Sequence, residues 1–124
     1  MGIEKRRYRR LETNLEAKMK DLSDPESEPF DVHIVNLGPE GAFASATHLL
    51  NSQTEISLSF RLDSYPMEIN VIAKVLWRKE VSGGDGTEDG MGMCFTHIPL
   101  FEKNIIIDYI LRRYAEHQAR ERAS

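Results

Sequence analysis

Apolar and polar side chains alternate along most of the chain up to Pro99, and after it the rhythm changes. From Leu11, the apolar or small residues Leu11, Thr13, Leu15, Ala17 and Met19 fall at every second position, with Glu12, Asn14, Glu16, Lys18 and Lys20 between them. A period of two places one set on each face of an extended chain, so this segment predicts a half-buried strand. Asp21 to Pro29, with Ser23, Pro25, Ser27 and four acidic residues, reads as a loop. A second strand runs through Phe30, Val32 and Ile34 into the turn Asn36-Leu37-Gly38-Pro39-Glu40-Gly41, and a short third strand covers Ala42 to Ser45. Ile56, Leu58, Phe60 and Leu62 predict a fourth. Met67, Ile69, Val71, Ala73, Val75 and Trp77 predict a long fifth. The glycine-rich stretch Val81 to Gly90 connects this strand to a sixth at Met91, Met93 and Phe95.

Six short antiparallel strands separated by turn residues favour closure, which leaves no exposed edge, so the expected fold is mainly β: a six-stranded antiparallel barrel. Beyond Pro99, Phe101, Ile105, Tyr109 and Arg112 recur at helical spacing, and Glu102 to about Arg122 contains neither Gly nor Pro, which predicts one C-terminal α-helix. The expected organisation is one domain in three parts: a flexible arginine-rich arm over residues 1–11, the barrel over 12–98 and the helix over 99–124. A chain of 124 residues, 40% hydrophobic and 29% charged, is large enough to bury such a core without a metal or a disulfide.

Charge adds a second signal because it is unevenly spread. The net charge is −4, which argues against a general DNA-binding protein. Yet residues 1–20 hold seven basic against three acidic side chains, and residues 21–31 hold five acidic and no basic ones. A local cationic arm on an acidic body suits a small anion better than a duplex. The N-terminus runs into charge with no apolar segment behind it, and no apolar run is long enough to insert in a membrane, so a cytoplasmic location is expected. The single cysteine, Cys94, sits among Met91, Met93 and Phe95 and reads as a buried, inert thiol in a reducing compartment.

The sharpest local feature is Arg6-Arg7-Tyr8-Arg9-Arg10, four guanidiniums around one aromatic ring just ahead of the first strand. A guanidinium is a planar fork that matches phosphate oxygens or the O6/N7 edge of guanine, and its face stacks on bases. Taken alone, this is equally a solvated basic tail, and Asn36 to Gly41 alone is only a tight turn.

The order of the motifs is more specific. Arg6-xxx-Arg10 precedes the first strand and Asn36-x-Gly38-x-x-Gly41 follows the second. Val75-Leu76-Trp77 and Gly92-Met93-Cys94-Phe95 then precede the terminal helix. From Arg6 to about Arg113 the chain resembles the PilZ domain family, six-stranded barrels that bind the second messenger cyclic di-GMP. The family fingerprint is an Arg-xxx-Arg arm followed by Asp or Asn-x-Ser-x-x-Gly, often with an aromatic inside the arm, as Tyr8 is here. The resemblance implies that Arg6 and Arg10, with Arg7 in the same arm, hold phosphates and guanine edges, that Asn36 hydrogen-bonds a guanine, and that Gly41 lets the ligand approach. Gly38 departs from the pattern, where the family has serine; one lost hydroxyl removes about 1 kcal/mol of hydrogen bonding, which weakens binding without abolishing it.

Catalytic and metal-binding patterns are missing from the sequence, so neither an enzyme nor a metal or cofactor site is expected. His33, His48, His97 and His117 share no ligand spacing with each other or with Cys94. No serine stands in a Gly-x-Ser-x-Gly elbow, and Gly83-Gly84-Asp85-Gly86 lacks the Lys-Ser/Thr ending of a phosphate loop. The helix is more apolar than one barrel needs: besides the stripe of Phe101, Ile105 and Tyr109, it carries Ile106, Ile107, Ile110, Leu111 and Tyr114. Those five residues read either as deeper burial or as a face for a protein partner or homodimer. The leading expectation is a cyclic di-GMP receptor that reorders its arm on binding and signals to a partner. The alternative is an interaction module on the same fold that has lost or weakened the ligand, and single-stranded nucleic-acid binding ranks last for want of an exposed aromatic platform.

Overall fold

Alternation along the chain becomes a closed barrel in the computed structural model, which describes residues 10–81 and 89–123. The strands are β1 (Leu11–Asp21), β2 (Phe30–Leu37), β3 (Gly41–Ser45), β4 (Glu55–Arg61), β5 (Glu68–Lys79) and β6 (Gly90–His97), followed by helix α1 (Leu100–Ala123). They are ordered β1-β2-β3-β6-β5-β4, with β4 closing on β1 and every neighbouring pair antiparallel. Most of the inward set is the one the alternation marks: Leu15, Ala17 and Met19 on β1, Ile56, Leu58 and Phe60 on β4, and Ile69, Val71, Ala73 and Val75 on β5 are all buried in one cluster, whereas Trp77, in phase with the β5 residues, is 49% exposed because the β5–β6 register shifts between Val75 and Trp77. Thr13, placed with this set, is only half-buried, and its hydroxyl donates to the Ile34 carbonyl at 2.6 Å.

Two irregularities shape one end of the barrel. Strict alternation from Val32 and Ile34 would point Asn36 into the core, where its amide would be costly. The β2–β3 register shifts between Ile34 and Asn36, leaving Val35 as an extra residue on β2. The phase of the strand therefore inverts: Leu37 is buried and Asn36 is turned to a half-buried position on the outside. The β1–β2 register shifts at the same level, between Glu12 and Leu15, so that Leu11 pairs with Leu37 and Glu12 with Asn36.

On the outer face of β3, β6 and β5, Phe43 and Trp77 both stand opposite Gly92. Their rings stack over it at 5.2 Å between centroids and 29° between planes. A side chain on Gly92 would run into the Trp77 indole, so the Trp77 and Gly92 motifs are two halves of one packing unit.

Helix α1 closes the core with Ile106, Tyr109 and Ile110, which are buried with the barrel residues in one cluster. At roughly 1.5–3 kcal/mol for each large apolar side chain buried, these residues anchor it. This corrects the predicted faces. Ile106 and Ile110, placed with a second surface, belong to the core, and Phe101, placed with the core stripe, is 62% exposed. The helix also meets the β4–β5 connection, which favours the same rotation. There the Tyr65 hydroxyl donates to the Asp108 carboxylate, the Tyr65 and Tyr109 rings meet edge to face, and Arg113 approaches Asp63 at 3.8 Å. Of the other residues assigned to the second face, Ile107 and Tyr114 are half-buried and Leu111 is exposed. Cys94, expected to be buried, is free and half-buried, because it lies one residue out of phase with the inward Met91 and Met93. No described helix is long and apolar enough to cross a membrane.

Candidate ligand-binding site

The pairing of Leu11 with Leu37 delivers the residue before β1 onto the turn after β2. Arg10 thus lies against Gly38: a Cβ added there would stand 3.2 Å from Arg10 Cγ. The turn itself is tight. Gly38 N–H donates to the Gly41 carbonyl at 2.9 Å, and the Glu40 carbonyl accepts from Phe95 N–H on β6 at 2.9 Å. Two buried glycines leave a shallow seat, and the Arg10 side chain crosses it. Its Nη1 donates to Asn36 Oδ1 at 3.4 Å, and its Nη2 lies 3.0 Å from where a Gly41 Cβ would be.

Gly41 is therefore required twice. Any side chain there would collide with the Met93 backbone carbonyl on the paired strand and would also press on the Arg10 guanidinium. The family resemblance implies that Gly41 lets a ligand approach; the contacts with Met93 and Arg10 are separate reasons for a glycine, internal to the fold. Gly38 is less constrained, because the tightest neighbour of an added Cβ is a flexible methylene of Arg10.

Of the six residues expected at the site, Arg10, Asn36, Gly38 and Gly41 come together here, and Arg6 and Arg7 lie outside the described residues, as does Tyr8. The arrangement presents a guanidinium fork on a half-buried arginine, backed by a side-chain amide whose two N–H groups are further donors. Fork and amide together suit a phosphate oxygen or a guanine edge. On its other side, Arg10 opens onto a groove of about 630 Å³ walled by the last turns of α1, including Arg113 and Arg120. The sequence reading did not name these helix cations. The signal was present in their spacing with His117, which aligns Arg113, His117 and Arg120 on one helical face.

A closed six-stranded barrel with an arginine laid across a glycine turn defines a small barrel module with a basic mouth. Residues 4–112 match the model of the PilZ domain, and the chain belongs to the PilZ domain family. Among solved structures it is similar to the Bacillus subtilis inhibitor of motility MotI/DgrA, with a TM-score of 0.75 and 19% identity over 92% of this chain and 53% of that one. It is also similar to the PilZ domain of Escherichia coli YcgR with c-di-GMP, with a TM-score of 0.67 and 14% identity over 97% and 98% of the two chains. A third similar structure is Borreliella burgdorferi PlzA in complex with c-di-GMP, with a TM-score of 0.61 and 19% identity over 85% of this chain and 40% of that one. At these identities the likeness establishes the shared fold, and the chain spans about half the length of MotI/DgrA and less of PlzA. No curated protein matches the chain.

Proposed function

We propose that this chain is a cytoplasmic receptor for cyclic di-GMP that acts by binding and carries no catalysis of its own. The observation that supports this most is the seating of Arg10 over the Asn36–Gly41 turn, with its guanidinium beside Asn36. Two residues 26 positions apart in sequence are held together by strand register, at the place where the family fingerprint has its two halves. Two related structures hold c-di-GMP on the same fold, which supports the choice of ligand. In this reading Arg6, Arg7 and Arg10 take the phosphates and guanine edges, Asn36 a guanine, and the arm folds over the barrel mouth as its like charges are neutralised. The reordered arm passes the signal to a protein partner, or to a second copy, through the helix at the exposed Leu111 with the half-buried Ile107 and Tyr114 on the same side.

Isothermal titration with cyclic di-GMP, with GTP as control, tests the reading. Binding that weakens with salt and loses about 1.5–3 kcal/mol in Arg6→Ala or Arg10→Ala is expected. A folded wild-type protein that does not bind would leave the second reading, an interaction module without ligand, which the Gly38 departure favours.

A further inference from the structure

Arg10 stands between two neighbourhoods, and the glycine turn accounts for only one of them. On the other side, the groove of about 630 Å³ is formed by the start of β1 and the last turns of α1. Its volume lies within the roughly 300–1,000 Å³ usual for sites that take a small-molecule ligand. Arg113, His117 and Arg120 line it, at spacings of four and three residues. With 3.6 residues per turn, these three fall within about 60° of one another, so they form a single face. Two carboxylates, Glu12 and Glu116, line the groove beside three guanidiniums and one imidazole, so the lining itself carries one more guanidinium than carboxylate.

We propose that the ligand site continues across Arg10 into this groove, so that the C-terminal helix forms its second wall and Arg113 and Arg120 hold the anionic ligand from that side. The inference rests on the cyclic di-GMP reading and extends it. Arg113 is already oriented, its guanidinium 5.5 Å from the centre of the Tyr109 ring and 3.8 Å from Asp63, so little side-chain freedom remains to be lost when an anion arrives, which then shares the guanidinium with the exposed Asp63 carboxylate. Arg120 is exposed, on a stretch of helix beyond the buried anchors Ile106, Tyr109 and Ile110. A ligand bridging Arg10 to Arg113 and Arg120 ties that stretch to the barrel. Occupancy of the site is thereby transmitted to the helix.

The test is titration of cyclic di-GMP into the wild type, Arg113→Ala, Arg120→Ala and, as a control of equal charge change next to the groove but not lining it, Arg112→Ala, each with a thermal melt. Arg113→Ala and Arg120→Ala are expected to raise Kd by about three- to ten-fold, Arg113→Ala with a modest drop in melting temperature because its Asp63 and Tyr109 contacts go with it and Arg120→Ala with little change, and Arg112→Ala to leave Kd within about two-fold. Hydrogen exchange of residues 113–120 should slow when ligand is added to the wild type. If the wild type binds and both groove variants bind equally well, the helix is not part of the site, and the receptor reading stands without it. If Arg112→Ala weakens binding as much as the others, the effect is the general field of the protein and the proposal is wrong. A wild type that does not bind overturns the receptor reading, and this inference with it.

Discussion

Arg10 Nη1 and Asn36 Oδ1 lie 3.4 Å apart, although the residues are 26 positions apart in sequence, because the bulge at Val35 turns Asn36 outward next to the strand that Arg10 precedes. Each side chain holds the other in place before any ligand arrives. Removing either one therefore removes part of the other's contribution. In a double-mutant cycle of Arg10→Ala and Asn36→Ala, read as cyclic di-GMP affinity, a coupling of about 0.5–3 kcal/mol is expected. Strictly additive losses would mean that the two residues contact the ligand independently.

The two glycines of the turn should respond differently to a side chain. Gly41→Ala drives a methyl group into the Met93 carbonyl and under the Arg10 guanidinium, so it is expected to destabilise the fold by roughly 1–3 kcal/mol and to displace the arginine. Gly38→Ser meets only the Arg10 methylene, which can give, and restores the family hydroxyl. It should keep the melting temperature and tighten cyclic di-GMP several-fold, by about one hydrogen bond. Titration and denaturant melts of both variants separate the cases; a Gly38→Ser protein that binds no better would show that this turn holds its ligand differently.

The strands and the helix could be read from the sequence because burial imposes period two or period 3.6, and Leu15, Ala17, Met19 and Ile69, Val71, Ala73 obey it. What could not be read is phase where the period breaks. The bulge at Val35 has no composition signal, yet it decides that Leu37 and not Asn36 enters the core. The rotation of α1 was hidden for a similar reason. Its apolar residues surround much of the helix, and which of them meet the open end of the barrel depends on how the helix docks there, with Asp63 and Tyr65 of the β4–β5 connection as distant partners. The resemblance to the family implied that Arg10, Asn36 and Gly41 share a site, whereas only the fold places Arg113 and Arg120 across a groove from Arg10.

The corrected helix faces give a sharp contrast between neighbours. Ile110 is 5% exposed in the core and Leu111 is 61% exposed. Ile110→Glu buries a charge without a partner and should destabilise the protein by several kcal/mol, whereas Leu111→Glu should stay within about 0.5 kcal/mol of wild type. Leu111→Glu is therefore the variant with which to probe the proposed partner face. If sedimentation shows self-association of the wild type, its loss in the folded Leu111→Glu protein would assign it to the helix. Unfolding by Leu111→Glu alone would contradict the burial pattern.

The contact between Tyr65 and Asp108 gives stability a pH signature. The Tyr65 hydrogen bond, helped by the Arg112 charge, holds the Asp108 carboxyl below the ordinary carboxylate range, and the same bond to Asp108, with burial, raises the Tyr65 phenol. A carboxylate depressed in the folded state stabilises above its unfolded pKa of about 3.9, and this contribution is lost as pH falls through the folded value. A raised phenol stabilises below about 10, and its contribution is lost as pH climbs through the folded value. Tyr65→Phe is expected to flatten both limbs of a plot of melting temperature against pH. Unchanged limbs in that variant would place the titrating groups elsewhere.

On the outside of the barrel, Gly92 stands between Phe43 on one neighbouring strand and Trp77 on the other, and the three atoms nearest to a Gly92 Cβ all belong to the Trp77 indole. Trp77 is 49% exposed, so it is held by stacking on Phe43 and by the bare backbone beneath it rather than by enclosure. Gly92→Ala should therefore lift the indole off the strand and lose the stacking, which contributes about 0.5–1.5 kcal/mol beyond burial. Trp77→Ala should lose the same stacking by deleting the ring. If the two substitutions act on one packing unit, the second must matter less once the first is made, and the double variant should be more stable than the sum of the single losses suggests by about 0.5–1.5 kcal/mol. Denaturant unfolding of the four proteins measures this, with near-ultraviolet circular dichroism reporting whether the indole has left its seat. Additive losses would mean that Gly92 is needed for the β6 backbone itself, and that Trp77 merely lies over it.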